Sequence, residues 1–594
     1  MVWLRSAPLV VVMLAATVGY MASLARYILG HDHGEYVMTG TEGGAPHPPG
    51  YPLYVLWLRL WSWIPLDAVL RSSLASAVLG LAAILLLYRA ARSFRISPPA
   101  SALAVALFAF SPRVWQIHTH AENLSLNSLI AAGILWVVAA PLAPALRLGL
   151  LGLLAGWGAS NHHLLALMAP VWLWGVGRSC KKAGWGWLLV GLVMGLLPYA
   201  STVVIARSPG DRWVWGELTC VEDLVSYLLR LEYGSFQLTP QLDARQVGPA
   251  EQLLAQVRRI GSDLLWLPAL VGYMAAMLAL GGAVASRRLW GQGSVALSFL
   301  LSGPGLMLIN RTPPEALGGL LVGRLDQQAE MLLCLLVAWA VDKGVRRLGG
   351  AAWRVRWVLP VMALLGAPRS LERAREAYRP TVQLYLVNLL ETLPPGAVVI
   401  GGDDLHLFGL LYLQRIEHKR SDIVHIAPTM LFRPWYAARI ARALGAPPEG
   451  VTARGIVMTH LIASLMARGR PVFLLDADDN YNEVLERFPN YPEGVTIRLL
   501  APGSTPPETA QIEALNEALF ARYTLEDRPP ERGSFGARIV RDYARPWRFL
   551  AAEYGEQQRS AEVARMEARA RSFEPLSIPL GPPEEVARSN VNYR

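Results

Sequence analysis

Gly30–Tyr54 reads GHDHGEYVMTGTEGGAPHPPGYPLY. It follows the first long apolar run of the chain and gathers His31, Asp32, His33, Glu35 and His47 ahead of a stiff Pro48-Pro49-Gly50. A polar cluster this close to the end of a hydrophobic segment is either a solvated turn between two membrane helices or a working site. Its surroundings along the chain decide which.

The 594 residues are 53% hydrophobic and only 17% charged, with a mean hydropathy of +0.31 and 20 tryptophans. Those averages conceal a split. Residues 1–368 are long apolar runs with short basic punctuation, whereas 370–594 have the composition of a soluble domain. The net charge of +10 does not describe a nucleic-acid surface, because many basic residues sit in small clusters between apolar runs. That is the positive-inside pattern of an integral membrane protein. Cys180, Cys220 and Cys334 are far apart and lack metal-type spacing, so no disulfide framework is implied. Pro8–Leu29 is too long for a signal-peptide core and lacks a convincing cleavage site, which makes it a retained helix.

A spanning helix needs about 20 mostly apolar residues. Candidate runs are 7–29, 72–91, 98–112, 127–146, 147–161, 163–178, 184–206, 262–285, 292–310, 318–341 and 353–368. A polytopic α-helical membrane domain of about eleven helices is therefore expected over residues 1–370. Tyr51–Ile64 is apolar but tryptophan-rich and interrupted by Arg59, which suits a helix lying in the interface. With the amino terminus cytoplasmic, the inside turns carry Arg89, Arg92 and Arg95, then Arg147, then Arg178, Lys181 and Lys182, then Arg287 and Arg288, then Lys343, Arg346, Arg347, Arg354 and Arg356. The outside turns carry chiefly Arg113 and Arg311. An odd number of spans puts the carboxy-terminal part outside the cytoplasm. On this topology His31, His33, His47, His118, His120, His162 and His163, all the histidines of the membrane half, fall on the outer side. Several outer loops are expected to converge there on one cavity.

HDHGEY and HPPGYPLY, then VWQIHTHAENLSLN, SNHH, LLPY, WGE and RLEYG, in that order, resemble one multi-pass family. It is the domain-of-unknown-function 2723 family, which includes the transmembrane-protein-260-like protein O-mannosyltransferases of the GT-C superfamily. LPPGAVVIGGDDLHLFGLLYLQ (Leu393–Gln414), SDIVHIAPTML and PWY look like the region that follows the membrane domain in bacterial members. The resemblance covers residues 20–240 and 385–440. It implies a GT-C fold and inverting transfer of mannose or a similar hexose from a polyprenyl-phosphate donor. The acceptor would be a hydroxyl, on protein Ser/Thr or on a glycan, at the outer face of a bacterial inner membrane. It implies no required cofactor and no nucleic-acid partner. In GT-C enzymes an acidic residue in the first outer loop is the usual catalytic group, and Asp32 stands at that position. Two departures leave the substrate open: His33 follows the first acid where a small residue is common, and Gly402-Asp403-Asp404-Leu405 lacks the Asn usual between the later acids.

Such a transfer needs a base for the acceptor hydroxyl, donors or cations for the leaving phosphate, and a pocket for the sugar. Asp32 is the candidate base, since partial desolvation raises a carboxylate's proton affinity. Glu35, three residues on, shares a face with it if the segment is helical and would bind sugar hydroxyls or tune Asp32. The prolines beside His47 hold that ring at low entropic cost. Glu122 and Asn123, next to His118 and His120, either cap a helix or line the site. Asn161, His162 and His163 in an apolar setting cost energy unless they face a wet cavity. Arg324 offers a planar fork for phosphate, with pairing to Asp326 or Glu330 as the alternative. Arg230 beside Glu232 and Tyr233 is a second candidate. His31, Asp32, His33 and His47 could also ligate a divalent metal, although no companion motif fixes the spacing.

From Tyr385 the pattern changes. Short β-branched runs at 397–400, 423–426, 472–475 and 495–500, with a helix over 405–416, predict a small α/β domain over 371–505 with a mostly parallel sheet. Gly401-Gly402-Asp403-Asp404 closes a strand and opens a helix, a usual ligand position, with Asp404 as the expected N-cap. Nothing resembles a P-loop or a dinucleotide fingerprint. Residues 506–594 are read as a charged helical region with a poorly ordered tail after Pro575. The competing functions are a transporter or flippase of lipid-linked glycans, and an inactive membrane scaffold whose α/β domain does the work.

Overall fold

A computed structural model of the chain describes residues 2–208, 210–232, 290–306, 324–348, 358, 360–452, 455–475, 481–527, 530 and 535–573. The expected span at 262–285, the first residues of that at 353–368, Tyr233 and the tail after Pro575 lie outside the described residues. The chain divides into two compact units: Met1–Arg26 with Thr39–Tyr378, and Tyr27–Met38 with Arg379–Arg594.

The first unit is helical. Among the described residues two helices, Ala68–Ser93 and Gly186–Arg207, are long and apolar enough to cross a membrane. A third span is gained if Pro98–Ala109 and Pro112–Thr119, bent by 68° at their break, count as one. Several of the expected spans appear as shorter apolar helices, Ala7–Ala22, Leu124–Ala139, Pro144–Ala159 and His163–Gly177. Proline sets many of these limits. Pro98, Pro112, Pro144 and Pro198 each stand in the first turn of a helix, where the missing N–H costs nothing. The expected run 127–146 therefore ends at Ala139, before Pro141 and Pro144. Tyr51–Ile64 supplies only the helix Pro52–Leu60, too short to cross a bilayer.

Small residues bring helices into backbone contact. A Cβ at Gly152 would stand 2.1 Å from Leu188 O, and one at Gly191 would stand 2.0 Å from Gly149 O. Helices Pro144–Ala159 and Gly186–Leu196 thus meet through glycines on both sides, the close packing that replaces hydrophobic driving force in lipid. The outward face of the second carries Leu189, Val190, Val193 and Leu197, all exposed. Only 28% of the Gly186–Arg207 window is buried, against 61% for Ala68–Ser93. The first is a peripheral helix and the second a central one.

The second unit is α/β. Strands β1 (Val398–Ile400), β2 (Val424–Ile426), β5 (Val472–Leu474), β6 (Asn490–Glu493) and β7 (Thr496–Leu499) form a sheet in the order β2-β1-β5-β7-β6, while β3 (Val451–Thr452) and β4 (Gly455–Ile456) make a separate pair. β1 runs parallel to β2 and β5, but β5–β7 and β7–β6 are antiparallel. The sheet is thus half parallel, not mostly so. The cause is local: Gly494 at φ +60° opens a two-residue turn that folds β6 back on β7, a glycine-first hairpin. β1 and β5 are fully buried, as parallel strands covered on both faces must be. The helix after β1 spans Asp404–Arg415, and its N-cap is Asp403 rather than Asp404. Asp403 Oδ1 accepts from Leu405 N at 3.2 Å, and Asp403 N stands 3.3 Å from His406 Nδ1. Helices Thr509–Phe520, Phe535–Glu556 and Ser560–Phe573 complete the unit.

Candidate functional site

Most of the singled-out polar residues meet inside the first unit. The link between helices Pro112–Thr119 and Leu124–Ala139 carries Glu122, whose Oε2 accepts from Arg324 Nη1 at 3.0 Å. His120 Nε2 stands 3.8 Å from the same oxygen, while its Nδ1 bonds Gln116 O at 2.7 Å. A carbonyl only accepts, so Nδ1 is the protonated nitrogen. Arg324 does not take Asp326 or Glu330. Those carboxylates go to Arg113, at 3.1 and 3.0 Å, and Ser111 Oγ donates to Glu330 at 2.6 Å. Arg324–Asp326 is a single 3₁₀ turn, in which residues two apart point in widely different directions.

Beside the ion pair lies a buried carboxamide cluster. Asn161 Nδ2 donates to Asn123 O at 3.1 Å and approaches Asn127 Oδ1 at 3.5 Å. Gln328 Nε2 donates to Ser302 Oγ at 2.7 Å, and Gln327 Nε2 donates to Ser128 Oγ. Asn127 Nδ2, Asn161 Oδ1, Gln327 Oε1 and Gln328 Oε1 are buried with no hydrogen-bond partner among the described residues. Turning a glutamine amide over changes which atom is left, not whether one is left. Ile117, Leu124, Leu164, Leu306 and Leu325 pack as an apolar cluster between these polar residues.

His118 is not a site-lining loop residue. It is fully buried on its helix, with Nδ1 3.2 Å from Tyr20 Oη and Nε2 2.9 Å from Ser128 Oγ. Tyr20 donates to Ala109 O at 3.0 Å, so His118 Nδ1 donates to Tyr20 and Nε2 accepts from Ser128. Contacts thus run from Gln327 through Ser128 and His118 to Tyr20.

A second group surrounds the Pro-Pro loop. His47 Nε2 bonds Tyr51 Oη at 2.9 Å, and the Tyr51 ring stacks on His162 at 5.8 Å and 21°. His162 caps its own turn, accepting from Leu164 N at 3.0 Å, and lies within electrostatic reach of Arg230, His163, Arg324 and His47. Tyr199 Oη stands 3.2 Å from Pro49 O and 3.0 Å from Ala159 O. Glu232 accepts from Trp215 Nε1 at 3.2 Å. Six separate stretches of sequence are thereby brought into one polar region.

Asp32, His33 and Glu35 belong to the second unit. All three are buried. Asp32 O accepts from Tyr36 N at 2.9 Å, so Asp32 stands at the threshold of helix His33–Glu42 and Glu35 lies in its first turn. His33 Nδ1 accepts from Leu29 N at 3.1 Å, and His31 adopts a left-handed φ of +63°, strain that clusters at functional segments. The same unit contains a relay that sequence reasoning missed. Asp403 Oδ1 lies 3.0 Å from His406 Nδ1, His406 Nε2 lies 3.1 Å from Tyr385 Oη, and Tyr385 donates to Asp542 Oδ2 at 2.8 Å. Only the GGDD motif hinted at it; Tyr385 and Asp542 sit in unremarkable helical stretches. Among the described residues no group of three or more His, Cys, Asp or Glu is arranged to hold a metal ion.

Residues 32–183 match the family model described as the Protein O-mannosyl-transferase TMEM260 N-terminal domain. Over 477 residues the chain is 26% identical to Protein O-mannosyl-transferase TMEM260 of Mus musculus, an alignment covering 74% of this chain and 67% of the mouse protein. It is 24% identical over 255 residues to the Dictyostelium discoideum protein of the same name, covering 39% of this chain and 31% of that one. Among solved structures it is similar to ArnT from Cupriavidus metallidurans in the apo state, with a TM-score of 0.53, 13% identity, and coverage of 84% and 99%. The undecaprenyl-phosphate-bound form of that protein gives a TM-score of 0.52, 14% identity, and coverage of 85% and 100%. At those identities the structural likeness shows the fold alone, one that this chain shares with that protein.

Proposed function

With residues 32–183 forming a domain of the Protein O-mannosyl-transferase TMEM260 N-terminal family, we propose that the chain is a membrane glycosyltransferase that moves mannose or a similar hexose from a polyprenyl phosphate to an acceptor hydroxyl on protein or glycan. The observation that carries this is the buried carboxamide cluster beside the Glu122–Arg324 pair. A buried amide atom without a partner costs free energy. A hydroxyl-rich ligand supplies donor and acceptor at once, which an apolar cargo cannot. Glu122 accepts one guanidinium N–H of Arg324, and a planar fork of this kind suits a phosphate. His47, His120, Asn123, Asn161, His162, His163, Arg230 and Glu232 are the remaining binding candidates.

Asp32 is the base in this scheme, and Glu35 its companion. The carboxylate takes the acceptor proton as the oxygen attacks the sugar's anomeric carbon and the lipid phosphate departs, a single displacement with inversion. No cofactor is needed. The charge bias of the turns supports about eleven spans, an amino terminus in the cytoplasm and an α/β domain on the other side. A bacterial inner membrane is the setting that the motif likeness favours.

The test supplies defined polyprenyl-phosphate sugars and an acceptor peptide or glycan to the purified full chain. Asp32→Asn should lower kcat by about 10²–10⁴-fold with the protein still folded. Full transfer by that variant would sink the base assignment, and wild-type protein that transports lipid-linked glycan without transfer would sink the enzyme.

A further inference from the structure

We propose that the α/β unit is the clamp that holds the catalytic segment in register, with Gln383 and the Gly34–Phe408 contact as its positioning elements; this rests on Asp32 being the base. Tyr27–Met38 follows the first helix in the chain yet packs in one compact unit with Arg379–Arg594. Two contacts contribute to that. Ile28 N donates to Gln383 Oε1 at 2.8 Å, and Gln383 Nε2 donates onward to Glu417 Oε1 at 3.2 Å. A carboxylate only accepts, so Glu417 fixes which end of the amide faces Ile28. Further along, Gly34 rests on the backbone of the next layer: a Cβ there would stand 2.7 Å from Phe408 O. Gly409 has its own Cβ position only 2.3 Å from Leu386 Cδ1.

The segment, helix Asp404–Arg415 and helix Thr381–Thr392 therefore stack with glycine at each contact, too close for a side chain. Asp32 lies between the two anchors, inside a turn tightened by the left-handed His31 and by the Leu29–His33 bond. The GGDD motif gains a role from this. Asp403 caps the helix and so sets which residue of it, Phe408, comes under Gly34. A misplacement of about 1 Å at a reacting group costs about 100-fold, so loosening either anchor should appear in kcat rather than in donor affinity.

The experiment combines amide hydrogen exchange over residues 28–36 with transfer kinetics on the full chain. Gln383→Ala should speed exchange there about tenfold, the loss of one hydrogen bond. It should lower kcat about 10–100-fold with the donor KM within about twofold. The double exchange Gln383→Glu with Glu417→Gln keeps an acceptor facing Ile28 and a donor–acceptor pair behind it, and should restore both readouts. Gly34→Ala, which forces the layers apart, should reproduce the loss without touching Gln383. Unchanged exchange in both Gln383→Ala and Gly34→Ala overturns the clamp, as does a raised exchange rate with an unaltered kcat. Unaltered exchange within Thr381–Thr392 distinguishes a released segment from a misfolded unit. Wild-type protein without transfer activity overturns the glycosyltransferase assignment instead, and the exchange arm then decides the clamp alone.

Discussion

The carboxylates around Glu122 in the membrane unit and around Asp403 in the α/β unit are held by different means. In the membrane unit three carboxylates are met by guanidiniums from far away in sequence: Glu122 by Arg324, and Asp326 and Glu330 by Arg113. In the α/β unit the carboxylates of Asp403 and Asp542 are linked through neutral or titratable groups, His406 and Tyr385, with Arg545 behind Asp542 at 2.5 Å. Asp403 keeps 38% of its side chain exposed. The difference follows from what each charge would otherwise face. A carboxylate among apolar helices has hydrocarbon as its alternative and needs a counter-charge. One at the end of a strand still has water, and a chain of hydrogen bonds suffices.

That contrast can be broken most severely at Arg113. Arg113→Ala removes the guanidinium that two carboxylates share and should destabilise the membrane unit by about 3–5 kcal/mol, seen as a lower Tm in detergent. Replacing Arg113, Asp326 and Glu330 together by apolar residues of similar size should recover most of that loss. A harmless Arg113→Ala would mean that water reaches the pair. Next comes Gly191→Ala, where the added methyl meets the Gly149 carbonyl. It should cost about 1–3 kcal/mol and disturb only the contact between the two helices.

Tyr385→Phe in the α/β unit removes the hydroxyl between His406 and Asp542 and should cost about 1 kcal/mol, less than any break in the membrane unit. The smallest effect is expected at Asp422, whose carboxyl the hydrogen-bonded Arg420 guanidinium holds well below the usual carboxylate range. A depressed folded value stabilises above the unfolded pKa of about 4 and loses that contribution as pH falls through the folded one. Asp422→Asn should therefore flatten the acid limb of the unfolding profile. With 41% of the side chain exposed, solvent screening keeps the effect below about 1 kcal/mol.

Apolar runs and strand-like stretches were legible because each carries a period or a length that burial demands. β1, β2, β5 and β7 fall inside the runs read from the sequence. β6 did not announce itself: Asn490–Glu493 has a proline and an asparagine, and only its pairing with β7 makes it a strand. The acids and histidines of the site could be named singly, but their partners could not. Glu122 finds Arg324 across 202 residues and Ser111 finds Glu330 across 219, distances at which local spacing says nothing. His118 shows the opposite failure. A histidine in a polar stretch suggested function, yet its ring fills the space over Gly80 between helices. The Gln327-Gln328 doublet in an apolar run was the signal available for the carboxamide cluster.

The bond from Ile28 to Gln383 spans 355 residues of chain. At a synthesis rate of about 5–20 residues per second, the second partner emerges roughly 20–70 s after the first. For that interval Tyr27–Met38 exists without the elements that order it. A ribosome-bound chain lacking the carboxy-terminal part would thus carry every acid and histidine of the membrane half without the partners of Ile28 and Gly34. Synthesis of the carboxy-terminal part is, on the clamp proposed above, the event that orders the segment.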